Sequence, residues 1–165
     1  MDPFPEYRQS SKGPFKDNVA RIHPKIVVGS GYQLDLHTIS VNNVTHVINC
    51  ADDTAAPTEF KEYYESMDKY TCINAIDSEE VDITDWYPNF KEIMNKYLQD
   101  PECKTVYVHC RLGKNRSGFL AVLYVCDRFH FTYEKACKAL LVQRPCALEN
   151  HVFHKQVQEY LKKNA

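Results

Sequence analysis

Cys110 and Arg116 stand with five residues between them in the stretch VHCRLGKNRSGFLAVLYV, residues 108–125. The first brings a sulfur nucleophile. The second brings a planar cation whose fork matches two oxygens of a tetrahedral anion. Five intervening residues, Arg111, Leu112, Gly113, Lys114 and Asn115, give enough chain for several backbone N–H groups to converge on one anion. Gly113 supplies the turn that lets the backbone come close. A tetrahedral dianion fits such a cradle without a metal. A free thiol, with a pKa of ~8.5, is only about 3% thiolate at pH 7. A helix N-terminus and nearby cations favour the thiolate. Cys110 then attacks phosphorus while Arg116 holds the equatorial oxygens.

A phosphate ester also needs a proton for its leaving oxygen. INAIDSEEVDITDW, residues 73–86, supplies carboxyl groups just after a strand-like run. Asp77 lies nearest the strand end, with Glu79 and Glu80 as alternatives. Asp82 and Asp85 have an ordinary task available, capping and charging a first helical turn.

These groups need elements to hold them. Residues 104–108 read as a buried strand leading into His109 and Cys110, and residues 117–129 as a buried helix. Further strands are expected at 25–29, 45–50 and 70–76, and a short helix at 34–39. From Trp86, apolar Phe90, Ile93, Met94 and Tyr97 recur at helical spacing behind a cap from Asp82 or Thr84. Thr132 caps another helix that ends near Pro145, and Phe153, Val157 and Leu161 stripe a last one. Strands alternating with helices predict a single α/β domain over residues 20–165. Its central, mainly parallel twisted sheet has about five strands flanked by helices. In such sheets, sites form beyond the carboxyl ends of strands, where Cys110 falls. Residues 1–19, with three prolines, read as a flexible N-terminal arm.

HCRLGKNRSG resembles the HC-x5-R-[ST] signature of the cysteine-based protein tyrosine phosphatases, in the short form of the dual-specificity branch. IVVGS, VTHVINC and VQRPCALENHVFHKQVQEYL, with Arg144, Pro145 and Asn150, are similar to segments of the same family, so the resemblance spans nearly all of residues 20–163. It implies a cysteinyl-phosphate intermediate and no cofactor or metal. It favours Asp77 as the acid, 33 residues before the nucleophile (110 − 77). It implies that Ser117 helps expel the thiolate in the second step, and that His109 orients the loop and keeps Cys110 ionised. The expected partner is a protein phosphorylated on tyrosine and on serine or threonine. Basic Arg111 and Lys114 depart from the neutral residues common in protein-directed members, which leaves an inositol phospholipid or an RNA 5′-triphosphate as the alternative substrate. In some members a cysteine placed like Cys50 forms a reversible disulfide with the nucleophile.

The rest of the chain is consistent with this reading. It has 165 residues, 44% apolar and 25% charged, with net charge −2, so nothing suggests bulk attraction to nucleic acid or anionic membrane, and anion recognition must be local. No apolar run reaches the ~20 residues of a membrane span, and residues 1–18 lack the apolar core of a secretory signal. Seven cysteines, an odd number without a C-x-x-C pair, fit a reducing cytoplasm or nucleus. Asn43-Val44-Thr45 is then a chance glycosylation match. A monomer is expected. A rhodanese-type sulfurtransferase or a non-catalytic phosphate-binding module are remoter readings. The first usually has a shorter loop, and the second typically lacks Cys or Arg. His151, His154 and Glu149 lack a further metal ligand.

Overall fold

The computed structural model describes residues 2–10 and 17–165. Five strands form one sheet in the order β1-β2-β5-β3-β4. They are β1 (Ala20–His23), β2 (Ile26–Ser30), β3 (Val44–Asn49), β4 (Tyr70–Cys72) and β5 (Thr105–Cys110). Only β1 runs antiparallel to its neighbour; β2, β5, β3 and β4 are parallel. The expected α/β class and mainly parallel five-stranded sheet are therefore present.

The central strand β5 is buried along its whole length. Such a strand needs apolar groups on both faces, and its alternation supplies them. Val106 and Val108 join the larger core with Ile26, Val28 and Ile48, whereas Tyr107 joins Val27 and Val47 in the smaller one. Helices α4 (Tyr87–Gln99), α5 (Arg116–Phe129), α6 (Tyr133–Leu141) and α7 (His151–Lys163) belong with the larger core. The smaller core takes Tyr64 of α3 (Thr58–Glu65), with Ile39 of α2 (Leu36–Asn42) packed against it. Helix α5 is apolar nearly all round, with residues 117–126 buried, so it is the axle of the large core.

Several boundaries differ from expectation for local reasons. Helix α2 starts two residues late because the Asp35 carboxylate accepts from the Thr38 N–H, and Asn43, in the left-handed conformation, ends it. The Asp82 side chain caps a 3-10 turn over Ile83–Trp86, and α4 follows with Pro88 in its first turn. Thr132 caps α6 as expected, through the Lys135 N–H. Strand β4 stops at Cys72, because Asn74 turns left-handed and residues 73–75 bond to Asn49, Ala51 and Cys50 carbonyls off the ladder.

Within the stretch expected to be a flexible arm, Pro5–Ser10 forms helix α1. Arg8 anchors it, donating to the carbonyls of Pro145 (2.6 Å), Ala147 and Leu148 (2.7 Å) while pairing with Asp2. Residues 11–16 of that stretch lie outside the described residues. Among the described residues no helix is long and apolar enough to cross a membrane.

Candidate active site

Strand β5 delivers Cys110 to the carboxyl edge of the sheet, and α5 begins six residues later. Residues 110–116 form the turn between them. Its curvature depends on Gly113, whose φ is +68°. A Cβ there would lie 2.4 Å from the carbonyl carbon and oxygen of Gly29. The turn is stapled from outside by Arg144, which is 3% exposed. Its guanidinium donates to the Gly113 and Leu112 carbonyls (2.8 and 2.7 Å) and to Asp17, Asn18 and Gln33 oxygens. A buried cation costs much unless its donors are matched, and here the loop carbonyls match them. Those carbonyls face Arg144, which turns the opposite edges of the same peptides away from it.

Cys110 is 2% exposed, and its sulfur lies 3.3 Å from the Ser117 Oγ in the first turn of α5. Arg116, half-buried, donates from Nη1 to the Ala75 carbonyl (3.3 Å), which ties the cradle to the loop after β4. Its Nε is buried and has no hydrogen-bond partner among the described residues. Asp77 is exposed on that same loop. Its two carboxylate oxygens accept from Asn115 Nδ2 (3.0 Å) and Asn150 Nδ2 (3.3 Å). The fold thus brings Cys110, Arg116 and Ser117 of one stretch and Asp77 of another to one edge. The alternatives stand apart from this pair of amides: Glu79 lies 3.8 Å from His151, and Asp82 is used as a cap.

His109 is fully buried, and its Nδ1 lies 2.9 Å from the Cys110 carbonyl oxygen. A carbonyl only accepts, so Nδ1 carries the hydrogen and the unpartnered Nε2 is a lone pair. Burial pushes the imidazole down to about 4. A neutral ring stabilises no thiolate by charge, so its contribution here is the fixed carbonyl. The sign of the linkage follows. The folded pKa lies below the ordinary 6.5, so the unfolded chain binds the proton first, and stability present above pH 6.5 is lost as pH falls toward 4. His109→Gln is expected to flatten urea-denaturation stability between pH 6.5 and 4 by about 3 kcal/mol relative to the parent. An unchanged slope would mean that the ring is not held neutral.

The two extra basic residues of the loop do not add charge to its centre. Arg111 pairs with Asp52 (3.3 Å) and donates to the Thr54 hydroxyl (2.6 Å), and Lys114 pairs with Glu149 (3.2 Å). Leu112 is 51% exposed at the rim. Cys50 follows β3 and is wholly buried, and its N–H donates to the His109 carbonyl (2.6 Å). Burial, then the neighbouring Cys110 sulfur, pushes its thiol well above the ordinary range. Both cysteines are free thiols. His154 is held by Tyr133 and the Leu148 carbonyl, and among the described residues no three His, Cys, Asp or Glu groups gather as metal ligands.

Sequence reasoning assigned no role to Arg144 or Asn150. An arginine directly before Pro145 and an asparagine three residues before the apolar stripe that starts at Phe153 were the available signals. The second is a helix cap: the Asn150 side chain accepts from the Val152 and Phe153 N–H groups.

Residues 26–163 match the family described as "Dual specificity phosphatase, catalytic domain". A probable dual specificity protein phosphatase of Dictyostelium discoideum is 28% identical over 90% of this chain and 36% of its own length. Protein phosphatase Slingshot homolog 3 of Mus musculus is 25% identical over 88% of the chain and 21% of its own. The chain therefore spans only about a third and a fifth of these relatives. Dual specificity protein phosphatase 22 of Mus musculus is 32% identical over 87% of the chain and 74% of its own length. Among solved structures, the human tyrosine phosphatase-like serine/threonine/tyrosine-interacting protein aligns with a TM-score of 0.72 at 22% identity, covering 88% of this chain and 97% of that one. The Yvh1 phosphatase domain of Chaetomium thermophilum aligns at 0.71 and 21%, covering 89% and 97%.

Proposed function

Since the chain belongs to the dual specificity phosphatase catalytic-domain family, we propose that residues 20–165 are a catalytic domain hydrolysing phosphotyrosine and phosphoserine or phosphothreonine in proteins. The reaction has two steps. The Cys110 thiolate forms a bond to phosphorus as the ester P–O bond breaks, and Asp77 gives its proton to the departing oxygen. Water then attacks the cysteinyl-phosphate, Asp77 takes a proton from it, and the P–S bond breaks. Ser117 donates a hydrogen bond to the departing thiolate, and inorganic phosphate leaves. Loop N–H groups and Arg116 carry the charge of the transferring phosphoryl group, and such positioning supplies most of the catalysis in phosphoryl transfer.

The observation that carries this reading is the seat of the sulfur. It sits buried at the base of an arginine-stapled turn, 3.3 Å from a hydroxyl at the start of α5. A helix start and a buried, unpaired Arg116 Nε together suit an anion, whose oxygen would give that donor its acceptor. The ion pairs of Arg111 and Lys114 with rim carboxylates favour a monoester over a polyanion, because each extra cation is already matched. The apolar rim at Leu112 and at Ile76, 52% exposed next to Asp77, suits a peptide side chain. A thiolate nucleophile requires a reducing compartment, which fits cytosol or nucleus.

The test is turnover, at matched concentration, of a phosphotyrosine peptide, a phosphothreonine peptide, an inositol phospholipid and triphosphate-ended RNA. Both peptides are expected to be hydrolysed faster than either polyanion. A clear preference for a polyanion would replace the protein substrate. Thiosulfate turnover without phosphatase activity would replace the reaction class.

A further inference from the structure

Consecutive carbonyls of the phosphate loop are held from one place. The Leu112 and Gly113 carbonyls accept from Arg144 (2.7 and 2.8 Å), and the Lys114 carbonyl accepts from the Leu148 N–H (2.9 Å). These donors all belong to the turn over residues 144–148, between α6 and α7. A trans peptide points its N–H opposite to its C=O. The N–H groups of Gly113, Lys114 and Asn115 are therefore aimed away from that turn, as an anion-binding nest requires. The turn sets the common direction of these donors.

The turn is held in its own right from outside. Leu148 is buried in the left-handed conformation (φ +57°), which a residue with a Cβ keeps only where its surroundings impose it. The carbonyls of Pro145, Ala147 and Leu148 converge on one guanidinium, that of Arg8 in α1. Its Nη1 donates to Pro145 (2.6 Å) and to Ala147, and its Nη2 donates to Leu148 (2.7 Å). Asp2 holds the remaining edge, accepting from Nε at 2.6 Å. Other contacts seat α1 as well. The Phe4 ring lies 6.1 Å from that of Tyr133 and 6.2 Å from that of His154, and the Tyr7 hydroxyl donates to Glu134 (2.9 Å). Arg8 lies ahead of residues 26–163, the span that matches the phosphatase catalytic domain.

We propose that Arg8 is a positioning residue for the phosphate loop. Helix α1 is a strap. Arg8 gathers the 144–148 turn, the turn pins the carbonyls of residues 112–114, and the pinned peptides aim their N–H groups into the cradle. Without Arg8 the Pro145 and Ala147 carbonyls lose these donors and the turn relaxes, so the loop amides lose their direction while the sheet stays intact. All phosphate esters present the same phosphoryl group to the loop, so the loss is felt alike whatever the leaving group. The inference rests on the reading of the Cys110 turn as a phosphoryl cradle, and its test separates the two.

Arg8→Ala and Arg8→Lys are made in the full chain. Each is assayed well below its unfolding temperature for inhibition by vanadate, a tetrahedral oxyanion, and for kcat/KM on para-nitrophenyl phosphate and phenyl phosphate. Arg8→Ala is expected to weaken vanadate inhibition about tenfold and to lower kcat/KM about tenfold on both esters, because a small misplacement of binding groups from a distant change is enough for that. Arg8→Lys keeps the charge without the planar fork and is expected to recover part of both losses. Hydrogen exchange at the Leu148 N–H, bonded to the Lys114 carbonyl, is expected to quicken in Arg8→Ala while the β5 amides stay slow.

A lower unfolding temperature with vanadate inhibition and kcat/KM unchanged would make Arg8 a stability anchor only and overturn the proposal. A loss confined to phenyl phosphate would place the effect on the proton donor instead of the loop, and would overturn it too. Should Arg8→Ala fail to fold, Arg8→Lys decides. Parental vanadate inhibition in that variant would overturn the proposal, and weaker inhibition with matching losses on both esters would support it. Failure of vanadate to inhibit the parent chain would sink the cradle reading itself, and this inference with it.

Discussion

Cys110→Ser is expected to lower turnover by at least ~10⁴-fold while a phosphate ester still binds. Oxygen replaces sulfur at the base of the cradle, and a serine hydroxyl is not ionised at neutral pH. The donors that hold the ester are elsewhere: the loop N–H groups, Arg116 and the start of α5. The replacement is smaller than the thiol and keeps a hydroxyl partner for Ser117, which lies 3.3 Å from the native sulfur. The fold should therefore survive, and equilibrium binding of a phosphotyrosine peptide to the variant should match the parent within a few-fold. The check is single-turnover kinetics beside that binding measurement. Near-normal turnover in the serine variant would remove Cys110 from the mechanism, whatever happens to binding.

Arg116→Ala is expected to cut kcat/KM by ~10³–10⁵-fold, the range attributed to an arginine that stabilises a transferring phosphoryl group. The loss should exceed that of a simple charge, because the guanidinium offers a planar fork. Arg116→Lys restores the charge without the fork and should recover only part of the rate. Alanine is a strong helix former, so α5 itself should persist. One structural cost accompanies the change, the bond from Nη1 to the Ala75 carbonyl. Thermal unfolding of the variant measures that cost separately. A loss below tenfold in kcat/KM, with the fold intact, would mean that backbone donors alone hold the phosphoryl oxygens.

The cradle was legible in the sequence because its parts are contiguous. Strand, nucleophile, glycine, arginine and helix follow one another within residues 104–129, and each residue type has a local reason to be there. The surrounding clamp was not legible, because it is assembled from distant chain. Nothing adjacent to Arg144 says that its guanidinium will meet carbonyls of residues 112 and 113, some thirty positions earlier. Helix α3 went unread because TEFKEYYE is mostly polar and buries only Tyr64, with no side-chain cap to announce it. Strand β1 was missed for a similar reason. ARIH is four residues long, alternates buried with half-buried, and follows a proline-bearing stretch. His109 shows the opposite problem. Its place at a strand end was readable, but its neutral state depends on how completely the fold encloses it.

The placement of β5 between β2 and β3 has a consequence for how the molecule breathes. Both flanks of the strand that ends in Cys110 are committed to ladders, Ser30 opposite Cys110 on one side and Asn49 opposite His109 on the other. Its amides can meet solvent only when the whole sheet comes apart, so they belong to the slowest-exchanging class. The segment that bears Asp77 is tied to the end of β3 through the N–H groups of residues 73–75, and from residue 76 onward it belongs to no ladder. Cys110 and Asp77 are thus anchored at different levels of local stability, the sulfur at the end of the sheet's most protected strand and the carboxylate on chain beyond any ladder.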